Sequence, residues 1–432
     1  MKHGKLLFFM FLFLTPVVRA QELPMTVSRL FALVDSCNMT LKAAATEVKA
    51  ATEGVREAKN SRLPDINASL SVSYIGNVAM TDRDFSHATA FSTPHWGNSF
   101  SLEAQQMIYA GGAVSAGIKT AEIQEQKAMN SLRATRNAQR FLVVAKYLEI
   151  MQADNAVVVY QNNIALTKRL ISDIQAKRTQ GMALRNDVTR YELQLENLKL
   201  GVRKVIDNRT ILNHQLCNLI GLSTDVTIIP DTTLLELCAD NEELWQNEAA
   251  ACSPVLTQAS LELKAAEQQV RLSKSERLPK LLAFAVDNFS GPYTFDIPPI
   301  DNNFNVWSVG LTLSYSFSSL FKANKSVRKA NVLLRERGEA FNDAALQVNN
   351  NVNEAHTLYL QSFADLNTMR KNVQLARENY AVANNRYLND LALITDMIDA
   401  SNIRLSAELD ETNARINIVY AYYRMKYVAG NL

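Results

Sequence analysis

The stretch CNMTLKAAATEVKAATEGVREAKNSRLP, residues 37–64, recurs in the second half of the chain as CSPVLTQASLELKAAEQQVRLSKSERLP, residues 252–279. The two stretches share 13 identical residues in 28 positions at a constant offset of 215. Agreement of this kind indicates an internal duplication. The sequence therefore predicts two repeats, each forming one structural unit.

Further along the repeats the offset becomes 209, so that Leu102 aligns with Leu311 and Asp187 with Asp396. The six-residue difference falls between Pro64 and Leu102, in a polar segment. Length changes of this kind concentrate in surface loops. The two repeats are thus predicted to differ at a loop tip.

Composition favours long helices. The chain has only 14 glycines and 10 prolines in 432 residues, which suits uninterrupted helices better than many short strands. Its formal charge is +2 and 47% of its residues are hydrophobic, so neither disorder nor a surface for polyanions is indicated. We expect no nucleic-acid partner.

Residues 1–20 have the pattern of a secretory signal peptide. A basic start precedes an apolar run from Leu6 to Leu14, and Ala20 completes a cleavage site before Gln21. No cysteine lies near this site, so no N-terminal lipid anchor is expected. An exported chain can form disulfides, but its four cysteines allow three pairings, and the alternative is that they are small buried apolar residues. These cysteines are Cys37, Cys217, Cys238 and Cys252.

The first repeat, residues 21–220, changes periodicity along its length. Apolar side chains alternate from Ile66 to Tyr74, which is typical of a strand. The following long segment has no proline and one glycine, Gly117, and at ~1.5 Å per residue its helix would be roughly 100 Å long. The predicted elements are a helix at 37–62, strands at 66–75 and 98–109 with an outer loop at about 76–97, a long helix at 113–178, and a helix with a coiled-coil seam at 186–219.

The second repeat, residues 251–432, follows the same order after an inter-repeat linker at 221–250, which is expected to lie at the equator of the molecule. Its predicted elements are a helix at 252–277, strands near 281–288 and 305–317 with an outer loop at about 289–304, a long helix at 322–387, and a helix at 393–428.

Four strands of this length suit an outer membrane but are too few to close a barrel. Two chains would supply eight strands and three would supply twelve, and only twelve would leave room for a lumen, so we favour three. Aromatic residues cluster around the strands, as in an interfacial girdle, although an ordinary β-core would use them too. They include Tyr74, Trp96, Phe100, Tyr109, Phe289, Tyr293, Trp307 and Tyr315.

The sequence resembles the TolC-like outer-membrane efflux protein family along essentially its whole mature length. The resemblance rests on the doubled RLP after an alanine-rich helix, on QQMIYAGGAVSAGIKTA after the second strand, and on the stretches GMALRNDV and NDLALITDMIDA. It implies a homotrimer, mostly helical, with a periplasmic α-barrel built from tandem long hairpins and a 12-stranded outer-membrane β-barrel to which each chain gives four strands. It further implies contact with membrane lipid, a periplasmic adaptor and an inner-membrane transporter.

Asp396 and Asp399 open the last helix at i, i+3, so both carboxylates share one face. Three chains would place six of them around one axis. Such a ring at the periplasmic entrance would attract cations and repel anions. The alternative is simple helix capping by acids in a first turn. The first repeat has Asp187 and Arg190 at these positions.

Two further roles follow from the resemblance. The family holds its entrance shut through polar bonds that involve a tyrosine and an aspartate, here Tyr387 and Asp187. The match is incomplete, because Asp390 replaces a common glycine and Ala392 stands where a gate arginine occurs. The adaptor would dock on the two helix-turn-helix tips, whose residues could instead fold back on their own helices. These are Gly181, Met182, Ala183, Leu184, Leu391 and Leu393.

No enzyme chemistry is indicated. His87 and His95 lie in a polar loop without acidic or cysteine partners at metal spacing, and Gly111-Gly112 lacks the GK[ST] of a phosphate loop. We expect no catalytic residues, cofactor or metal. The predicted function is a passive exit duct for small molecules or secreted polypeptide. The alternatives are a structural or adhesive coiled-coil protein that does not conduct and, with less support, a periplasmic adaptor.

Overall fold

The fold was obtained as a computed structural model, which describes residues 21–231, 242–294, 296, 299–389 and 391–432. The predicted signal peptide, Cys238 and Asp390 lie outside the described residues. Helices dominate, as the composition predicts. They are α1 (Val27–Cys37), α2 (Met39–Asn60), α3 (Ala113–Thr179), α4 (Arg185–Ile220), α5 (Glu242–Cys252), α6 (Pro254–Ser275), α7 (Ser319–Leu388) and α8 (Ile394–Ala429).

Among the described residues, four long strands form the main sheet and four short strands form two smaller ladders. They are β1 (Gln21–Met25), β2 (Asp65–Tyr74), β3 (Val78–Met80), β4 (Thr89–Phe91), β5 (Trp96–Tyr109), β6 (Val226–Pro230), β7 (Lys280–Gly291) and β8 (Phe304–Ser314). The predicted outer loop at 76–97 contains the small hairpin β3–β4, and the predicted linker contains β6 and most of α5.

A four-stranded antiparallel sheet has the order β2-β5-β7-β8. The pairing of β5 with β7 joins the two repeats, whereas β2 and β8 form the two edges. Gly310 is directly opposite Phe284, and a Cβ on this glycine would lie 2.7 Å from the phenyl ring. The ring of Phe284 thus packs directly against the backbone of Gly310, where a larger residue would clash with the ring.

The two faces of this sheet differ in polarity. One face carries Ile66, Leu70, Val72 and Tyr74 from β2 and Trp307, Val309, Leu311 and Leu313 from β8, all highly exposed. The opposite face carries most of the serines together with Glu103 and Gln105. We call the first the apolar face and the second the polar face. Apolar side chains left in contact with solvent in one chain indicate a surface that another medium or molecule covers.

The chain forms two compact units that do not coincide with the repeats. One comprises residues 43–135 and 250–350 and contains the sheet. The other includes residues 21–42, 136–249 and 351–432 and contains the turns after α3 and α7. The reason is the sheet itself, because strands of both repeats pair with each other.

In the second of these units β1 and β6 form a parallel ladder. Side chains of the neighbouring helices add hydrogen bonds to the backbone of this ladder. Tyr147 donates a hydrogen bond to the carbonyl of Met25 (2.8 Å) and accepts one from the amide of Asp231 (2.7 Å). Asn213 bonds both the Val226 carbonyl and the Ile228 amide. Among the described residues, the helices contain no apolar stretch long enough to span a bilayer.

Candidate functional site: two helix-turn-helix tips

The turns α3–α4 and α7–α8 have the same hydrogen bond at equivalent positions. Met182 donates its amide to the carbonyl of Lys177 (2.9 Å), and Leu391 donates to Arg386 (2.8 Å), 209 residues later in both cases. Gly181 adopts φ +81°, a left-handed conformation that favours glycine. The equivalent residue of the second turn is Asp390, which lies outside the described residues.

Asp187 and Asp396 cap the helices that follow the turns. The carboxylate of Asp187 accepts a hydrogen bond from the amide of Leu184, and that of Asp396 accepts one from Leu393, both at 3.1 Å. A carboxylate here is stabilised by the free amides and by the helix dipole. Asp396 and Asp399 are nevertheless exposed, so capping leaves the charge of Asp396 available to solvent.

A buried cluster lies beneath the turns and holds them together; we call it the tip cluster. It consists of Ile174, Val188, Tyr191, Ile394 and Met397. Each of α3, α4 and α8 therefore contributes to one core, and Tyr380 and Tyr387 of α7 pack against it. Burial raises the pKa of Tyr191, whose hydroxyl has no hydrogen-bond partner among the described residues.

Tyr387 and Lys177 are neighbours in this region. The ammonium of Lys177 lies 5.6 Å from the centre of the Tyr387 ring and donates a hydrogen bond to the carbonyl of Leu388 (2.9 Å). Lys177 thus links the end of α3 to the end of α7. The described side-chain bond of Asp187 goes to Leu184 in its own turn. A bond between Tyr387 and Asp187 remains a prediction.

Four apolar side chains project from the tips into solvent. Met182 is 55% exposed, and Leu184, Leu391 and Leu393 are about 70% exposed. Ala183, by contrast, packs partly against the tip cluster. In the single chain the four larger residues do not fold back on their own helices.

A buried arginine close to the tip cluster was not recognised in the sequence. Arg404 of α8 is 7% exposed and lies with its guanidinium 4.1 Å from the centre of the Tyr380 ring. It donates a hydrogen bond to Asn163 of α3 (2.9 Å). Arg404 therefore contacts α3 and α7 from α8.

Glu408 supplies the negative charge of this network. It lies 4.0 Å from Arg404 and 3.1 Å from Arg377 of α7. Burial raises the pKa of Tyr380, and the Arg404 cation acts in the opposite direction. A sequence signal existed, because the buried face of α8 runs Met397, Ala400, Arg404, Ala407 at steps of three and four, with one arginine among apolar residues.

Within the part of the chain that the structure describes, no group of three or more His, Cys, Asp or Glu side chains could hold a metal ion.

Comparison with known proteins identifies the family of the chain. The family model described as outer membrane efflux protein matches residues 34–222 and 245–431. The chain belongs to the outer membrane efflux protein family. The two matched ranges correspond to the two repeats, and the resemblance inferred from the sequence is confirmed.

Solved structures of outer-membrane channels have the same fold. The outer-membrane channel OprN is 16% identical with a TM-score of 0.77, covering 94% of this chain and 90% of its own. VceC of Vibrio cholerae is 15% identical with a TM-score of 0.78, covering 94% and 96%. MtrE of Neisseria gonorrhoeae, solved in an open state, is 15% identical with a TM-score of 0.73, covering 94% and 88%. Sequence comparison with curated proteins gives no significant match.

Family membership makes the chain an outer-membrane efflux protein. Its structural neighbours are channels rather than enzymes. The tip cluster and the Arg404 network are among the places in this outer-membrane efflux protein where helices from both repeats meet.

Proposed function

We propose that the chain is the exit duct of a tripartite efflux or type I secretion system, passively conducting small molecules or polypeptide from an inner-membrane transporter through a gated periplasmic entrance. The observation that carries this proposal is the sheet, which has one exposed apolar face and two edge strands without a partner in the part of the chain that the structure describes. Only a closed barrel removes such edges in lipid. Three copies, joined β8 to β2, would close twelve strands around a lumen.

The signal peptide predicted at residues 1–20 would deliver the chain across the inner membrane. The helices would then form the periplasmic part of the duct. The exposed apolar tips would dock a periplasmic adaptor, because Met182, Leu184, Leu391 and Leu393 offer apolar contact without first having to unfold.

The entrance would be lined by Asp396 and Asp399 from three chains. Their exposure supports this role, and the capping bond of Asp396 would hold its carboxylate in a defined position. A bond between Tyr387 and Asp187 would help to hold the entrance shut, with Lys177 keeping Tyr387 in place. That the related channel MtrE was solved in an open state supports a gated entrance.

Single-channel recording in a planar bilayer, beside a mass measurement in detergent, tests the proposal. A trimer with cation-selective openings is the expected result. A trimer that never conducts, even when Tyr387→Phe is introduced to weaken the gate, would contradict the duct and favour a structural anchor. A monomer without conductance would contradict the barrel.

The charge ring has its own test. Asp396→Asn with Asp399→Asn should lower cation selectivity and the block by multivalent cations, since six negative charges are removed. Asparagine keeps an oxygen for the helix cap, so stability should change little. The matched control is Asp410→Asn, which removes an exposed carboxylate further along α8, outside the proposed ring and gate. Unchanged selectivity in the double variant would exclude the ring.

A further inference from the structure

The two helix-turn-helix tips share one turn geometry but differ in charge. We call residues 177–190 the first tip and residues 386–399 the second tip, since they are equivalent at the offset of 209. The first tip contains four basic residues and one acidic residue, a formal charge of +3. The second contains one basic and three acidic residues, a formal charge of −2. The whole chain carries only +2, so this contrast is local.

Three arginines of the first tip produce most of the contrast. They are Arg178, Arg185 and Arg190, and none of them has a basic counterpart in the second tip. The equivalent residues there are Tyr387, Ile394 and Asp399. All three arginine side chains are exposed, and none of their guanidinium groups forms an ion pair with a described residue. These charges are therefore accessible to a partner.

The other charged side chains of the first tip bond within the chain. Lys177 donates a hydrogen bond to the carbonyl of Leu388, and the carboxylate of Asp187 accepts one from the amide of Leu184. Asp187 is also less exposed than the arginines. The arginines therefore determine most of the charge that the first tip presents to solvent.

Exposed apolar side chains accompany these cations. Met182 and Leu184 belong to the turn itself, with Arg178 shortly before it and Arg185 directly after it. Arg190 follows about 8 Å further along the axis of α4. Exposed charges act over a Debye length of about 8 Å at physiological salt, so all three cations can act on a segment that contacts the turn. Arginine and methionine are both enriched in protein interfaces.

We propose that the first tip docks a partner segment that combines an apolar residue with carboxylates, and that the second tip rejects the same segment. The apolar residue would contact Met182 and Leu184, and the carboxylates would pair with the three arginines. The second tip has an equivalent turn and exposed leucines, but its carboxylates would repel such a segment. The inference rests on the proposed function, because it specifies the chemistry of the adaptor that docks on the tips.

Designed helical hairpins provide the probe. Three synthetic hairpins carry the same leucine at their turn and differ only in the flanking residues, which are glutamate, glutamine or lysine. Fluorescence anisotropy measures the binding of each labelled hairpin to the purified mature protein in detergent. The glutamate hairpin should bind about tenfold more tightly than the glutamine hairpin, and the lysine hairpin should bind most weakly. Equal binding of the glutamate and glutamine hairpins would overturn the proposal.

Neutral substitutions locate the preference on the protein. Replacing all three arginines of the first tip by glutamine should remove the preference for the glutamate hairpin. The matched control neutralises three exposed cations of α7 outside both tips and lowers the net charge equally; it combines Arg328→Gln, Lys329→Gln and Arg335→Gln. The preference should persist in this control. A preference that survives the tip substitutions, or that the control removes, would contradict the site.

Charge reversal gives a result that loss of folding cannot imitate. With glutamate in place of all three arginines, the protein should prefer the lysine hairpin. A reversed protein that still prefers the glutamate hairpin would exclude the arginines. Vesicles of phosphatidylglycerol test a lipid head group as the source of negative charge. Binding of these vesicles without binding of the glutamate hairpin would overturn the assignment of a protein partner.

Conductance recorded on the same preparation separates this inference from the proposed function. A protein that conducts but does not distinguish the hairpins loses only the charged docking site. A protein that never conducts loses the duct, whereas a preference for the glutamate hairpin that depends on the three arginines would still establish the first tip as a docking surface.

Discussion

At the scale of single residues, two buried tyrosines differ in what their hydroxyls bond. Tyr147 donates to the Met25 carbonyl and accepts from the Asp231 amide, whereas the Tyr191 hydroxyl has no hydrogen-bond partner among the described residues. Both side chains are about 1% exposed. A buried hydroxyl stabilises a fold only when it is hydrogen-bonded.

We therefore expect Tyr191→Phe to leave stability at pH 7 unchanged or to raise it by about 1 kcal/mol, since an unsatisfied polar group is removed. Tyr147→Phe is the matched control and should lower stability by about 1 kcal/mol, because the Met25 carbonyl and the Asp231 amide each lose a hydrogen bond and keep only the longer one, 3.3 Å, between them. Denaturant unfolding of the mature protein in detergent measures both. A larger loss in Tyr191→Phe than in Tyr147→Phe would contradict this account.

The same tyrosines predict how stability depends on pH. Burial raises the pKa of Tyr147 and Tyr191 in the folded state above the ordinary value of 10.0. Their contribution is fully present below pH 10 and is lost as the pH rises from there towards the folded values, because the unfolded chain ionises first. Unfolding midpoints between pH 8 and pH 11.5 should fall above pH 10, and less steeply in Tyr191→Phe. An identical slope in the variant would assign the loss to other groups.

At the scale of elements, the buried face of α8 is not uniformly apolar. Arg404 contacts Asn163 of α3, the ring of Tyr380 on α7, and Glu408 one turn further along α8. A buried charge does not favour folding by itself, but removing one member leaves the others uncompensated. Arg404 thus connects α8 to side chains of both α3 and α7.

Arg404→Ala should destabilise the protein by about 3 kcal/mol, since the buried Asn163 would lose its donor and the Tyr380 ring its packing partner, although Glu408 would keep Arg377. Arg415→Ala is the matched control on the same helix, where an exposed guanidinium pairs with Glu411 at i, i+4 and should contribute less than about 0.5 kcal/mol. Thermal or denaturant unfolding of both variants compares them directly. Equal effects would mean that Arg404 is only another surface ion pair.

At the scale of the whole molecule, one chain leaves its sheet incomplete. The edges β2 and β8 have no strand partner among the described residues, and the apolar face is open. The apolar face requires lipid or another protein to cover it, and the two edges require strands from other chains. The proposed trimer in a membrane would supply both the lipid and the strands.

Adjacent residues of β8 test this requirement. Val309→Arg places a charge on the apolar face and should oppose insertion by about 2–4 kcal/mol if that face meets the bilayer core. Ser308→Arg adds the same charge on the polar face and should be tolerated. Folding into lipid vesicles, followed by the recovery of assembled protein, measures the difference. Equal recovery of the two variants would argue against a lipid-facing surface.

Much of this architecture is readable from local patterns. β2 (Asp65–Tyr74) occupies the stretch whose alternation predicts a strand, and α3 (Ala113–Thr179) the stretch that lacks proline. Equivalent turns were expected because the repeats align at an offset of 209. The capping role of Asp396 was one of two alternatives, and the structure shows the cap without removing the charge from solvent.

The sequence by itself determined the duplication, the mostly helical class, the family and the positions of the two turns. Periodicity, helix-breaking residues and repeated stretches can all be read along the chain without knowing which distant residues touch. Only the tertiary structure decided that β5 pairs with β7 across the repeats, that Arg404 meets Asn163 and Tyr380, and that the buried Tyr191 hydroxyl has no hydrogen-bond partner among the described residues. These features join residues far apart in the chain. Strand pairing and buried polar contacts depend on which distant groups packing brings together, and no local pattern carries that information.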